Sequence, residues 1–161
     1  MTPSPDGGAT YFITLCCTEK KPRFQTDRMA HLMADVLLHY RLQQKYLLHE
    51  FVVMPDHLHA LVTPSETLER CVQFIKGGFS FRAKKELGFP GEIWQQRLHD
   101  RRVRDALEFN RFRQYIRENP VRRGLCDKPA TFAWSSANGT FALDEVPQRL
   151  KPARIAASTR A

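Results

Sequence analysis

The chain has 161 residues, of which 42% are hydrophobic and 26% charged, and its net charge is +8. These values fit one ordinary globular domain with its own core and exclude a disordered or fibrous chain. No apolar run approaches the roughly 20 residues that cross a bilayer, and the opening MTPSPDGGAT lacks the basic and apolar regions of an export signal, so the expected compartment is the cytoplasm.

In chain order, YFITLCC (11–17) reads as a first strand and EKKPRFQTDR as a polar, proline-containing loop. A helix is predicted from Asp27, whose carboxylate can cap it, because Met29, Leu32, Met33, Val36, Leu37 and Tyr40 recur at helical spacing. YLLHEFVVM makes a second strand, Pro55 and Asp56 a turn and HLHALV a third strand, the economical pairing being an antiparallel hairpin. In SETLERCVQFIKGGFSFRAKKEL, Ser65 is the expected cap, Leu68, Val72, Ile75 and Phe79 form an apolar stripe, and Gly77 and Gly78 mark a bend. EIWQQRLHDRRVRD sets Ile93, Gln95 and Arg97 against Trp94, Gln96 and Leu98, the alternation of a fourth strand leading to a charged turn. A last helix, ALEFNRFRQYIREN, is expected to stop at Pro120, and VRRGLC and FAWSSA complete the domain. The order strand, helix, strand, strand, helix, strand is that of the split βαβ, a ferredoxin-like α+β fold with an antiparallel sheet. The domain is placed at 1–145, and PQRLKPARIAASTRA, with few large apolar residues, makes 146–161 a flexible basic tail.

The charge is unevenly placed. Residues 1–80 hold eight Lys/Arg and eight Asp/Glu, whereas 81–161 hold seventeen and nine. Such asymmetry is the footprint of a phosphate-binding face and favours nucleic acid as partner over a merely solvated surface. Three clusters carry it, Arg82 with Lys84 and Lys85, Arg101 with Arg102 and Arg104, and Arg122 with Arg123, and Trp94 offers a ring on which an unpaired base can stack. The four cysteines show no CxxC spacing and read as small buried hydrophobes rather than zinc ligands.

The chemistry concentrates in FVVMPDHLHALV (51–62). Strand side chains alternate, so His57 and His59 share one face while Leu58, Ala60 and Val62 take the other. On the last helix Phe109, Phe112 and Ile116 form the core stripe, and Glu108, Tyr115 and Asn119 fall along one flank at spacings of seven and four. If that helix lies beside the third strand, a phenol, an amide and two imidazoles converge. Two neutral imidazoles and an oxygen ligand can hold a divalent ion with open positions, and a tyrosine beside it can attack phosphorus to form a covalent ester. Taken singly, each residue also has a packing or helix-terminating role.

VVMPDHLHALV resembles the His-hydrophobic-His motif of the HUH endonuclease superfamily, and YIRENPVRRGL resembles the segment around the nucleophile of its single-tyrosine transposases. IWQQRLHDRRVRD, FRQYIRENPVRRGLC and FAWSSA, in this order, are similar to the REP-associated tyrosine transposases, the likeness running from about Tyr11 to Ala137. The resemblance implies His57, His59 and Asn119 as ligands of Mg2+ or Mn2+, Tyr115 as nucleophile, and a ferredoxin-like sheet with an added helix that carries the tyrosine. It also implies cleavage of single-stranded DNA at a REP hairpin through a 5′-phosphotyrosine, with a monomer favoured over a homodimer. Two positions depart from the family pattern: Asp56 stands where asparagine is common, and Arg123 where a small residue often precedes the glycine. A catalytically silent hairpin-binding module and a water-using metal phosphohydrolase are the competing readings.

Overall fold

In the computed structural model, which describes residues 8–150, strand β1 (Tyr11–Cys16) turns Tyr11, Ile13 and Leu15 to one side of a sheet. Phe12, Thr14 and Cys16 face the other side. Helix α1 (Asp27–Leu42) follows, then β2 (Tyr46–Met54) and β3 (His57–Pro64) as a hairpin, α2 (Leu68–Leu87), β4 (His99–Arg102) and α3 (Ala106–Arg122). The strands lie in the order β2-β3-β1-β4 with every pair antiparallel, which is the ferredoxin-like arrangement of an α+β fold. Among the described residues no helix is long and apolar enough to cross a membrane.

Each face of the sheet has its own core. Ile13, Leu15, Leu48, Phe51, Val53, Leu58 and Ala60 pack with Met33, Val36 and Leu37 of α1 and Ile75 and Phe79 of α2. Val52, Met54 and Leu61 pack on the opposite side with Phe109 and Ile116 of α3. Two helices therefore cover one face and the added helix covers the other. Burial on both sides is why β2 and β3 read as nearly unbroken apolar runs. The register slips once, where Leu48 pairs with Val62 and Glu50 with Leu61, so that His49 is the extra residue of a β-bulge. The bulge resets the alternation: Leu48 and Phe51 both meet α1 and α2, while His49 and Glu50 both turn toward α3.

Several local expectations are corrected. Thr26 rather than Asp27 caps α1, accepting from the Met29 N–H, and Thr67 rather than Ser65 caps α2, accepting from the Arg70 N–H. Helix α2 runs unbroken through Gly77 and Gly78, the second of which lies so close to the Tyr40 ring that a Cβ there would sit 2.6 Å from it. The fourth strand is not 93–98 but His99–Arg102, all four residues exposed, and Trp94 only bridges to Cys17. An edge strand without a buried side leaves no hydrophobic alternation to read. Helix α3 passes through Pro120 to Arg122. The proline forfeits one backbone bond, but Arg123 N–H donates to the Asn119 carbonyl and Leu125 N–H to that of Pro120, with Gly124 at φ 75° closing the end. Past the expected boundary at residue 145, Leu150 is buried beside the Phe109 cluster with Val146 packed against it; the rest of the predicted tail, 151–161, lies outside the described residues.

The 133–136 segment covers the outer edge of β2, where Val53 N–H donates to the Trp134 carbonyl and Val52 bridges to Ser135. Beside it, Asp144 takes a two-toothed contact from Arg41 at 2.9 and 3.1 Å and accepts from the Leu48 N–H. The bulged His49 is buried between the Thr63 hydroxyl and the Asp144 carbonyl, and burial holds its pKa below the ordinary 6.5. The unfolded chain therefore takes up a proton that the folded chain refuses, and stability declines as pH falls below about 6.5. Urea midpoints measured from pH 8 to pH 5 should fall for the native chain and fall less for His49→Gln, whose side chain does not titrate.

Candidate active site

His57 and His59 stand on the α3 side of β3 with Leu61, flanked by Cys16 and Thr14 across on β1 and by Met54 and Val52 on β2. Their Nε2 atoms face each other at 3.1 Å. Each Nδ1 is held from behind, that of His57 by the Asp56 carboxylate at 2.7 Å and that of His59 by the Thr14 hydroxyl at 2.9 Å. A carboxylate only accepts, so the His57 Nδ1 carries the proton and its Nε2 presents a lone pair. The Thr14 hydroxyl can donate or accept. His59 can thus donate from Nε2 to His57, or reverse its tautomer and point a second lone pair at the same spot.

Both rings are kept neutral. Burial is the main cause of the lowered pKa of His57, opposed by Asp56. His59 is pushed down to about 3, first by burial and then by its neighbours His57, Arg122 and Arg123. Neutral imidazole is the form that ligates a metal.

Helix α3 brings the phenol. Asp105 caps it by accepting from the Glu108 N–H, and the Glu108 carboxylate reaches back to the Arg104 N–H, a reciprocal box that fixes where the first turn starts. Phe109 and Ile116 then bury against the sheet and place Tyr115 beside the histidines, its ring 5.3 Å from that of His59 at 69°. Phe12 stacks on His59 at 5.2 Å and meets Tyr115 edge-on at 5.9 Å, forming a shared wall. Arg122 lies 4.5 Å over the Tyr115 ring and donates to its carbonyl. Tyr115 is 42% exposed, so the hydroxyl-bearing side chain is open to an incoming substrate.

Asn119, one turn further along, is buried, and its Oδ1 has no hydrogen-bond partner. An unsatisfied buried carbonyl oxygen is costly and calls for a donor or a cation. The donor set suits a divalent ion, since two imidazole nitrogens and an amide oxygen are ligands that such ions accept. Among the described residues no three His, Cys, Asp or Glu side chains gather around a metal position.

Sequence reasoning missed Glu50. It is 2% exposed, on β2 beneath α3, with Arg117 Nε at 3.1 Å, Arg113 Nε at 3.6 Å and the Ser136 hydroxyl donating to it at 2.6 Å. Ser136 in turn accepts from the Phe51 N–H. The signal was present as a lone carboxylate inside an apolar strand, which a core tolerates only when it is paired. Arg113 and Arg117 bracket Tyr115 in sequence, so this contact fixes the rotation of the helix that bears the phenol.

The basic residues divide. Arg122 lies at the site, and Arg123 approaches Asp56 at 4.0 Å. Arg101 and Arg102 lie on β4 beside β1, with Arg101 5.9 Å above the Phe112 ring. Arg104 is paired with Glu108. Arg82, Lys84 and Lys85 belong to α2 on the other layer, Arg82 being held by Asp35 and Glu86 and Lys85 lying over Phe81. Trp94 is half-buried against Phe24 and Phe79 and donates its indole N–H to the Lys76 carbonyl, so its ring is engaged in packing.

A split βαβ sheet with paired histidines on its third strand, crossed by a helix that bears a tyrosine, is a transposase-type domain. The chain belongs to the IS200-like transposases: the family model described as "Transposase IS200 like" matches residues 8–119, a stretch that takes in His57, His59, Tyr115 and Asn119. An uncharacterized protein of Haemophilus influenzae is 24% identical, with 69% of this chain and 79% of that protein covered. The REP-associated tyrosine transposase of Escherichia coli K12 is 23% identical, with 85% and 84% covered. Among solved structures, a REP-associated tyrosine transposase bound to a REP hairpin superposes with a TM-score of 0.67 at 20% identity, covering 91% of this chain and 90% of that one. A putative transposase from Deinococcus radiodurans gives a TM-score of 0.51 at 24% identity, covering 68% and 88%. At such identities the structural likenesses establish the shared fold.

Two outcomes follow from the geometry. Thr14→Val removes the group that orients His59 and should weaken Mn2+ binding about 10- to 100-fold, read by titration of the manganese paramagnetic resonance signal. Glu50→Ala should cost about 2 kcal/mol of unfolding free energy by urea melts, below the usual loss for a broken buried pair because both arginines can relax into water, whereas Glu50→Gln should retain part of it.

Proposed function

We propose that this protein is a metal-dependent single-stranded DNA endonuclease and strand-transferase that acts on hairpin-bearing DNA of the REP type through a covalent 5′-phosphotyrosine. The observation that carries the reading is the meeting of three groups from distant parts of the chain: the facing Nε2 atoms of His57 and His59 and the solvent-open Tyr115 beside them. Family membership supports the reaction class, and the relatives named for REP elements support the substrate class.

His57, His59 and Asn119 would hold Mg2+ or Mn2+, which when bound polarises a phosphate oxygen and stabilises the charge that builds on it. Asp56 and Thr14 keep both imidazoles turned inward. The Tyr115 oxygen attacks phosphorus, the bond from phosphorus to the 3′ oxygen breaks, and the proton lost by the phenol is balanced by the one gained at the freed 3′-hydroxyl. The phosphodiester energy is kept in the tyrosyl ester, so a second 3′-hydroxyl can reverse the step and join a strand. Arg122, over the Tyr115 ring, places a positive charge where the phenol turns anionic. Arg101, Arg102, Arg104 and Arg123 would bind the phosphates near the site, and Arg82, Lys84 and Lys85 those further along the stem, so that affinity falls steeply with salt. No pairing with a second chain is needed to complete the residue set, and we take the monomer as the acting form.

The native chain and Tyr115→Phe, incubated with labelled hairpin oligonucleotides and Mn2+, should differ at least 1,000-fold in covalent adduct, about 4 kcal/mol in barrier. Equal adduct yields would overturn the assignment of Tyr115. Retained nicking by the variant would indicate water as nucleophile, and hairpin binding without nicking in any divalent ion would indicate a silent binding module.

A further inference from the structure

One histidine of the sheet has no part in the chemistry above. His99 opens β4, and the register pairs it with Thr14 of β1, which in turn pairs with His59 of β3. Residues directly opposite in antiparallel strands turn to the same face, so His59, Thr14 and His99 form one row across the sheet on the side that faces α3. We propose, on the basis of the DNA-cleaving reading above, that His99 is the general acid that protonates the 3′ oxygen as it leaves phosphorus, and the base that takes the proton back when a strand is joined.

Position carries the assignment. Two successive cross-strand pairings set the Cβ atoms of His59 and His99 about 10 Å apart, and the residue between them is the small Thr14, whose hydroxyl is engaged with the His59 Nδ1. Two imidazoles therefore wall a trough with a low floor. Thr14 and His99 line the same open groove. A phosphate held beside the Nε2 atoms of His57 and His59 has the Tyr115 ring on one side, because α3 lies over β2 and β3, and β4 on the other. In-line displacement needs that separation, since the attacking and leaving oxygens stand on opposite sides of phosphorus.

His99 is also the group left free for the task. It is exposed, and its imidazole has no hydrogen-bond, ion-pair or ring partner among the described residues. His49 lies buried near Phe109 of α3, and the imidazoles of His57 and His59 are both engaged through Nδ1. Arg101, next on the same face of β4, and Arg97, which lines the same groove, are guanidiniums that do not give up a proton. Imidazole is the side chain that both gives and takes a proton near neutral pH.

The step balances. As the Tyr115 oxygen bonds to phosphorus, the bond to the 3′ oxygen breaks and its electron pair takes a proton from the His99 imidazolium. The phenol's proton passes to water, to which Tyr115 is open, and the neutral His99 ring recovers a proton from solvent. Joining runs the same transfers backwards.

The test compares ordinary hairpin DNA with the same DNA carrying sulfur in place of the bridging 3′ oxygen at the bond where the native chain forms its adduct. Single-turnover adduct formation by the full chain is followed on both with Mn2+. A thiolate is a far weaker base than an alkoxide and leaves without a proton. His99→Ala and His99→Gln should form adduct about 100-fold more slowly than the native chain on the oxygen substrate and within about 3-fold of it on the sulfur substrate, with hairpin affinity changed by less than about 2-fold. Equal loss on both substrates would make His99 a DNA contact or a structural residue, and no loss on the oxygen substrate would remove it from the reaction. Either result overturns the assignment and leaves the role of Tyr115 standing. Absence of adduct from the native chain on ordinary DNA overturns instead the reading on which the assignment rests.

Discussion

Everything at the site depends on how α3 is seated, and the seat is the buried Glu50 carboxylate. A helix laid on an apolar sheet by Phe109 and Ile116 alone could roll by a fraction of a turn at little cost, because hydrophobic contact is not directional. Two arginines on successive turns converging on one immobile carboxylate remove that freedom. The carboxylate is itself immobile because Ser136 donates to it while accepting from the β2 backbone, which ties the 133–136 segment into the same arrangement. Placing a charge there is expensive, and only the guanidiniums and the hydroxyl make it tolerable. Glu50 turns toward α3 in phase with Val52 and Met54, and the bulge brings His49 to the same side.

The two histidines are arranged by complementary means. Water is kept from them by the helix and the Phe12 wall, and their Nδ1 atoms are occupied, so the remaining polarity of both rings is directed at one small volume. Depressed basicity follows from the same exclusion of water: the rings resist protonation because an imidazolium could not be solvated there. Tyr115 contrasts with them in being half open. A buried donor pair beside an accessible phenol is the division expected when one partner must stay fixed and the other must meet a large substrate from outside.

Much of this was legible in the sequence, for definite reasons. Period-two alternation in HLHALV put the imidazoles on one face, helical spacing put Tyr115 and Asn119 on one flank, and the order of elements gave the sheet topology. What was hidden shares one property: it depends on long-range pairing and not on local pattern. Strand β4 has no buried side and so no periodicity, Pro120 is a statistical stop that downstream backbone bonds override, and Glu50 gains its meaning only from arginines more than sixty residues away. The caps moved by one or two residues because Thr26 and Thr67 stand just before the first helical residue, where their hydroxyls accept from the third backbone N–H. For Trp94 the sequence left packing and base-stacking both open, and the fold engages its ring with Phe24 and Phe79.

The two departures from the family pattern end up facing each other. Asp56, in the turn before His57, and Arg123, at the end of α3, approach at 4.0 Å, too long for a hydrogen bond but within reach of charge attraction. A carboxylate behind His57 strengthens the hold on its Nδ1 proton more than a neutral amide would, yet it adds a negative charge near the C-terminal end of α3, where the helix dipole already points its negative pole. Arg123, with Arg122 in the last turn, offsets both. Asp56 and Arg123 thus add an electrostatic link between the strand that carries the imidazoles and the helix that carries the phenol, the same two elements whose meeting defines the site.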